Sequence, residues 1–461
     1  MFPTKRSLRV LFALLVVVPT ALLGVAHADR IVGGPDTPRT EETGDARKLA
    51  VSSVPSESIT VVTNHFDSAK HGSIAAFAEN GTLIYRNRTH NRYFDVDPVP
   101  GTTHSVMYVG SDVLDNSYCK LPKTAQFNCI RNVVERLNLS TGEVERRYTY
   151  DVSTRHPEDS IHDVDRLNDT HLLVADIFEN RVFIVNSSSE LITWSWHAST
   201  AYDFEGGGSF RDWTHLNDVE YIESRDLVMT DPRNHDQVLF IDRKTGLREN
   251  LTLGSDGNHD VLYEQHNPDY IPEPRGGPAV LIADSENNRI VEYQRAGDEW
   301  NQSWVWSDAR MQWPRDADRL PNGNTLLTDT HSNRVFEVNE SGAITWQIDY
   351  PKPYEAERLG TGDESAGGES AASLGLDSKR AGDATATTGG GGVQQSLYVA
   401  LKTLVPNRVF HGLKWVLPSW VSLTDMLALA VALLSALAWF ASELYWTDRV
   451  RFRSPIAVRR R

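Results

Sequence analysis

Cysteine is nearly missing from this chain: Cys119 and Cys129 are the only two in 461 residues, ten positions apart. There is no Cys-x-x-Cys pair, which excludes a dithiol redox motif and a cysteine zinc site. Basic charge is also short. Forty-six Lys and Arg stand against 62 Asp and Glu, a net charge of −16, so nucleic acid is excluded as a partner because its phosphates would go unneutralised. The nucleotide-cradling patterns GxxxxGK(S/T) and GxGxxG are absent, and the glycine run at Gly389 belongs to a spacer. The histidines show no His-x-x-His spacing, so no metal site and no cofactor are expected. Long apolar runs occur only near the two ends. The two cysteines can pair with each other in an oxidising compartment, a link of about 2–3 kcal/mol for so short a loop.

What is abundant is repetition. Four related phrases start at Ile161, His215, Asn258 and Pro314. Each carries a short hydrophobic strand, an Asp, a polar turn and a final strand. Asp176, Asp231, Asp284 and Asp329 mark one place in successive units, 55, 53 and 45 residues apart. Runs rich in Leu, Val and Ile, split by Asn, Asp, Gly and Ser, read as antiparallel strands. A four-stranded unit of about 40–50 residues is a propeller blade. The expected fold is all-β, a propeller of about six four-stranded blades over residues 55–352, closed by N-terminal strands. The repeated pairs Asp176/Arg181, Asp284/Arg289 and Asp329/Arg334 are expected to be structural, since a feature of every blade cannot define one site.

The ends predict terminal transmembrane helices. Residues 1–28 read as a signal peptide or an N-terminal anchor: Lys5 and Arg6, an apolar run, then Ala26-His27-Ala28. Residues 355–395 are expected to be a disordered linker. An interfacial segment over 396–422 and a transmembrane helix over 424–446 should follow. The tail 447–461 is rich in arginine and is expected to stay cytoplasmic, leaving the propeller on the extracytoplasmic side of the cell membrane. Eight Asn-x-Ser/Thr triplets, at Asn80, Asn87, Asn138, Asn168, Asn186, Asn250, Asn301 and Asn339, agree with an exported glycoprotein.

Aligning the repeats places His162, Asn217, His259 and Arg315 at one position, with His215 two residues before Asn217 on the same face. His104 of a weaker unit fits the same row. Inner strands of successive blades face a common channel, so these groups should converge there and favour an anion. The phrase HDVDRL, the His-x-Asn-Asp of His215–Asp218, the run Asp231–His235 and Asn258–Asp260 resemble the PAPS-independent aryl-sulfate sulfotransferases. The likeness spans His104 to Ile348. It implies transfer of a sulfuryl group from a phenolic sulfate donor to a phenolic acceptor through a sulfo-histidine. By motif, His259 would be the nucleophile, Arg233 would bind sulfuryl oxygens, and His162 and His215 would hold sulfate or move protons. Asn217 would donate to a sulfate oxygen. Arg315 and His104 enter as substrate-binding residues on repeat position alone. Members of that family with a separate N-terminal β-domain use it to dimerise; here only about 30 residues lie between Ala28 and the first strand, too few for such a domain, so the resemblance does not carry dimerisation over.

The strand-turn phrase at Ala279–Tyr293 also looks like an NHL-type repeat. Two rival readings follow: a non-catalytic surface-binding propeller, and a metal-dependent propeller hydrolase. The latter would need carboxylates on the channel floor, whereas the aligned row is dominated by histidine and arginine.

Overall fold

Short alternating strands cannot bury both faces alone, so each unit folds as a twisted sheet that packs against the next. The computed structural model describes residues 4–26, 51, 54–65, 71–115, 117–119, 128–154, 160–203, 213–381, 406–417, 421 and 423–446. They form two bodies: the terminal helices in one, the strands in the other.

The strands make six antiparallel sheets, the blades of a propeller. Their inner strands are Pro353–Arg358 (blade 1), Arg92–Pro98 (blade 2), Ile161–Arg166 (blade 3), Leu216–Ile222 (blade 4), His266–Ile271 (blade 5) and Pro314–Arg319 (blade 6). Blades 1, 2, 3, 5 and 6 have four strands; blade 4 carries two very short strands, Gly246–Leu247 and Leu253–Gly254, on its outer strand. Blade 1 closes the ring: Pro353–Arg358 pairs with Ile59–Asn64, which pairs with Ser73–Ala78. The closing strand comes from beyond residue 352. The boundary expected there is therefore corrected, and residues 353–381 belong to the propeller body rather than to a linker. Residues 382–395 and the tail 447–461 lie outside the described residues.

The cores lie between neighbouring sheets. Val109, Val134, Val174 and Phe183 join blades 2 and 3, and Met229, Phe240, Ile282 and Val291 join blades 4 and 5. Burial of such side chains contributes about 1.5–3 kcal/mol each.

The repeated Asp and Asn-Arg are structural. Arg181, Arg289 and Arg334 donate through Nε to Asp176, Asp284 and Asp329 at 2.9, 2.6 and 2.8 Å. The neighbouring asparagine reaches the next blade. Asn288 Oδ1 accepts from the Trp313 amide at 3.1 Å, and Asn333 Oδ1 from the Lys352 amide at 3.0 Å. Six of the eight sequon asparagines are turn formers, their Oδ1 accepting from the amide two residues on: Asn80, Asn87, Asn138, Asn168, Asn186 and Asn339.

Cys119 and Cys129 are disulfide-bonded. The terminal body holds the helices Lys5–Ala26 and Leu423–Trp446, joined by Arg9 donating to both carboxylate oxygens of Glu443 at 2.5 and 2.6 Å. Among the described residues, Asp425–Trp446, with mean hydropathy 1.9, is the one helix long and apolar enough to cross a membrane.

Candidate functional site

All six inner strands share one pattern, and it divides the channel lengthwise. The first channel position holds Tyr354, Phe94, His162, Asn217, His266 and Arg315 in blades 1 to 6. The next holds Glu355, Asp95, Asp163, Asp218, Asn267 and Asp316. Two residues further along stand Glu357, Asp97, Asp165, Glu220, Asp269 and Asp318. An imidazole and guanidinium tier thus precedes two tiers of carboxylates.

The carboxylates stitch blade to blade. Glu355 accepts from the Val96 amide at 2.9 Å, Asp95 from Val164 at 3.1 Å, Asp163 from Val219 at 2.6 Å, Glu220 from Tyr270 at 2.7 Å and Asp316 from Ala356 at 3.0 Å. Between blades 5 and 6 the link runs through Ser365, which donates to Asp269 and accepts from the Arg319 amide at 2.7 Å. The segment around Ser365 crosses this end of the channel. A Cβ on Gly368 would lie 2.1 Å from the Arg319 carbonyl oxygen, so only glycine permits that approach. Burial, then neighbouring carboxylates, raises Asp95, Asp97, Asp218 and Asp318 well above the ordinary range. Burial takes Asp163 and Asp316 to about 7, and Asp363 to about 8. This belt is absent from the repeat alignment, which followed a single row, and the expectation of a channel dominated by histidine and arginine is corrected to one tier of the channel.

The first tier is a chamber of rings. His162 lies 4.3 Å from Phe94, 5.5 Å from His215, 6.0 Å from Tyr354 and 6.2 Å from His65, between centroids. The Arg315 guanidinium sits 4.7 Å over the Tyr354 ring. His266 belongs to the same field: burial first, then Arg315, Arg233, His215 and His162, holds its pKa well below the usual value. His162 is held down by burial, then by His215 and His65. Both rings are therefore neutral near pH 7, and their tautomers follow from their partners. His162 Nδ1 lies 3.2 Å from the Ser160 carbonyl oxygen, which only accepts, so Nδ1 carries the hydrogen. Ser285 Oγ donates to the Pro314 carbonyl at 2.7 Å and accepts from His266 Nδ1 at 2.8 Å. In both rings Nε2 keeps the lone pair. Asn217 is 1 % exposed, yet among the described residues neither polar atom of its amide has a hydrogen-bond partner; the Tyr354 hydroxyl is likewise unmatched. Buried amides are rarely left so, and the pair reads as a contact set for a ligand. His215 and Lys352 adopt left-handed backbone, at φ 50° and 45°, immediately before inner strands. Such strain costs on the order of 1–3 kcal/mol and concentrates at functional sites.

The residues named from sequence divide accordingly. His162, His215, Asn217 and Arg315 line the chamber, and Arg233 acts on it, with its own guanidinium donating to Asn234 Oδ1 at 3.0 and 3.2 Å. His259 does not join them. Its ring is 47 % exposed, 3.3 Å from Asp236 and stacked on Tyr263 at 3.7 Å, in the loop before blade 5. The repeat position given to His259 is thereby corrected: it belongs to His266. The phrase HNPDYI at His266 matches LNDVEYI at Leu216 through its shared Tyr-Ile, and alignment on Asn258 passed over it. His104 is also outside, on the loop before the second strand of blade 2, against Thr103 and the Val54 carbonyl. Phe94 fills the place assigned to it. His65 and His331 were missed because each lies outside the inner strands.

The helix Asn407–Val416, within the segment expected at a membrane interface, packs on this mouth of the propeller. His411 bonds Glu286 at 3.0 Å and Asn288 at 3.2 Å, and its ring lies 5.1 Å from Trp313 and 5.6 Å from His331. Lys352 donates to the Leu417 carbonyl at 3.4 Å, and Arg408 pairs with Glu264. Lys352, Lys414 and Arg315 add to burial and His411 in lowering His331.

No family model matches this chain, and no curated protein does. Solved structures similar to it include the periplasmic gluconolactonase of Pseudomonas aeruginosa, at 11 % identity over 66 % of this chain and 99 % of that one, TM-score 0.43. A catalytically inactive virginiamycin B lyase of Staphylococcus aureus with quinupristin aligns at 8 % identity over 64 % and 85 %, TM-score 0.38. A putative 6-phosphogluconolactonase of Bacteroides fragilis aligns at 13 % over 65 % and 97 %, TM-score 0.40. This chain is a six-bladed β-propeller. The chemistries in those names belong to those proteins.

Proposed function

We propose that the chamber transfers a sulfuryl group from a phenolic sulfate to a phenol, with His266 as the nucleophile. The observation that supports this is the convergence of neutral, tautomer-fixed imidazoles with Arg315, Arg233 and an unmatched buried Asn217 in one tier. A neutral imidazole is a competent nucleophile near pH 7, and fixed guanidinium charge stabilises both the transferring group and its leaving phenolate. In the first step His266 Nε2 forms a bond to sulfur, the sulfur–oxygen bond to the aryl group breaks, and the phenolate leaves. In the second step the acceptor oxygen bonds to sulfur, the bond to nitrogen breaks, and the acceptor's proton passes to His162 Nε2. Asn217 and the Tyr354 hydroxyl bind sulfuryl oxygens. The resemblance of the His-x-Asn-Asp and HDVDRL phrases to aryl-sulfate sulfotransferases points to the same chemistry.

The topology that accompanies this reading puts the propeller outside the cell membrane and the arginine tail inside, on the strength of the apolar helix Asp425–Trp446 and the disulfide. Protease added to intact cells should degrade the propeller; full protection refutes it. For the chemistry, the purified full-length chain is incubated with a chromogenic aryl sulfate and an acceptor phenol. Ping-pong kinetics and an acid-labile sulfuryl adduct on His266 are expected. No turnover over a panel of phenolic sulfates favours the binding-only propeller.

A further inference from the structure

The far end of the channel poses a charge problem that the sulfuryl chemistry does not touch. Asp95 and Asp97 of blade 2 and Glu355 of blade 1 each place one oxygen within 4.8 Å of the others, with all three residues buried. Two are already held in place by neighbouring strands: Asp95 by the Val164 amide, and Glu355 by the Val96 amide and by Asn267 Nδ2 at 3.1 Å. Asp97 is different. It is 6 % exposed, and the side-chain partner it has among the described residues is another carboxyl, that of Asp363. The groups acting on it are Asp363, Asp163, Glu355 and Asp165, all carboxyls. Arginines at this end are engaged elsewhere: Arg319 with Glu292 at 3.1 Å, Arg358 with Glu337 at 3.0 Å, and Arg166 with Asp169. Burying carboxylates together without counter-charge costs several kcal/mol per ion.

We propose that Asp95, Asp97 and Glu355 bind one divalent cation of calcium's size and oxygen preference, across the junction of blades 1 and 2. Calcium takes carboxylate oxygens at about 2.3–2.6 Å, so no two of its ligands stand more than about 5.2 Å apart, and the three oxygens here, all within 4.8 Å of one another, meet that limit. Each oxygen reaches the ion with little movement, because the backbone amides that hold Asp95 and Glu355 orient them as they stand. Asp97 gains a positive partner, where the groups around it are carboxyls. The site joins the strand that closes the ring to the blade beside it, so the ion ties the closing blade to its neighbour. It also alters the expectation drawn from histidine spacing, which weighed only imidazole ligands.

The test uses the full-length protein in detergent, stripped with chelator and titrated with Ca²⁺ and, separately, Mg²⁺. Calcium should bind and raise the unfolding temperature, with magnesium weaker. Asp97→Asn should remove one bound ion per chain, or weaken it at least about 100-fold, as expected for loss of a direct ligand. Asp298→Asn, whose side chain is 96 % exposed, should bind as the wild type does. No calcium binding, or binding unaltered by Asp97→Asn, overturns the proposal. If Asp97→Asn does not fold, the wild type decides: Tb³⁺ located by anomalous scattering should sit among the three oxygens, and a peak elsewhere or none refutes the site.

Discussion

The two ends of one channel are built from the same six strands and differ in what their side chains lack. At the carboxylate end, six of the eleven acids accept from a backbone amide of the next blade and serve as clamps. At the imidazole end, among the described residues, the Asn217 amide and the Tyr354 hydroxyl have no hydrogen-bond partner, and His162 and His266 are neutral. A position that recurs in every blade with its hydrogen bonds made is architecture. A position that varies from blade to blade, Tyr, Phe, His, Asn, His and Arg, is the one on which the proposed site rests. The same repeat thus supplies both a frame and a candidate site, on adjacent residues of each inner strand.

Substitutions can break or sharpen that contrast. The largest effect should come from His266→Ala, with sulfuryl transfer in the chromogenic assay down at least about 10³-fold, since nothing replaces a lost nucleophile, and the melting temperature little changed. Arg315→Ala should lose about 10²–10³ in kcat, the usual consequence of removing one charge-stabilising donor; an equal loss from Arg181→Ala, in a structural turn pair, would erase the distinction between the tiers. Asp163→Ala should behave oppositely. It leaves the Val219 amide without its acceptor, costing about 1–3 kcal/mol in denaturant unfolding, while the chamber residues stay in place.

The titration of the two ends should also differ in sign. Asp163 and Asp316, at about 7, and Asp363, at about 8, lie above their ordinary 3.8, so the folded chain holds protons that the unfolded chain has released. Their contribution is complete below about pH 4 and is lost as pH rises through 7–8. His162, His266 and His331 are depressed below 6.5, so their contribution is present above that pH and lost as pH falls. In chelator, the melting temperature should therefore fall between pH 6.5 and 8, where the carboxyls act together with His90, which burial lowers but Asp112 and Glu135 raise to about 9, and Asp363→Asn should make that slope shallower. The smallest effect should be that of His259→Ala. With its ring outside the chamber, transfer should stay within about twofold of wild type; a large loss would return the nucleophile to the loop.

Much of the architecture was legible because it is periodic. Asp176, Asp231, Asp284 and Asp329 mark the blade period, from which the span allows about six blades, and their partners Arg181, Arg289 and Arg334 read as structure from the repeat alone. The row of His162, Asn217 and Arg315 was legible for the same reason. The search stopped short where the period is broken. Blade 5 inserts a loop before its inner strand, so His259 matched by phrase while His266 matched by place. His65 and Lys352 flank strands of the closing blade, nearly 300 residues apart in sequence. The second and third tiers, from Asp95 to Glu357, read in sequence as ordinary acids of an acidic protein.

The amino-acid sequence by itself determined the repeat, its strands and turns, the closure by N-terminal strands and the apolar helix near the C-terminus, because local hydrophobic alternation and turn chemistry are written residue by residue. Only the tertiary structure decided which imidazoles face each other, which acids share a buried space and where the helix Asn407–Val416 rests. Those depend on closing the ring, which brings six separate strands to one axis and sets the charge of each group by its neighbours from other blades.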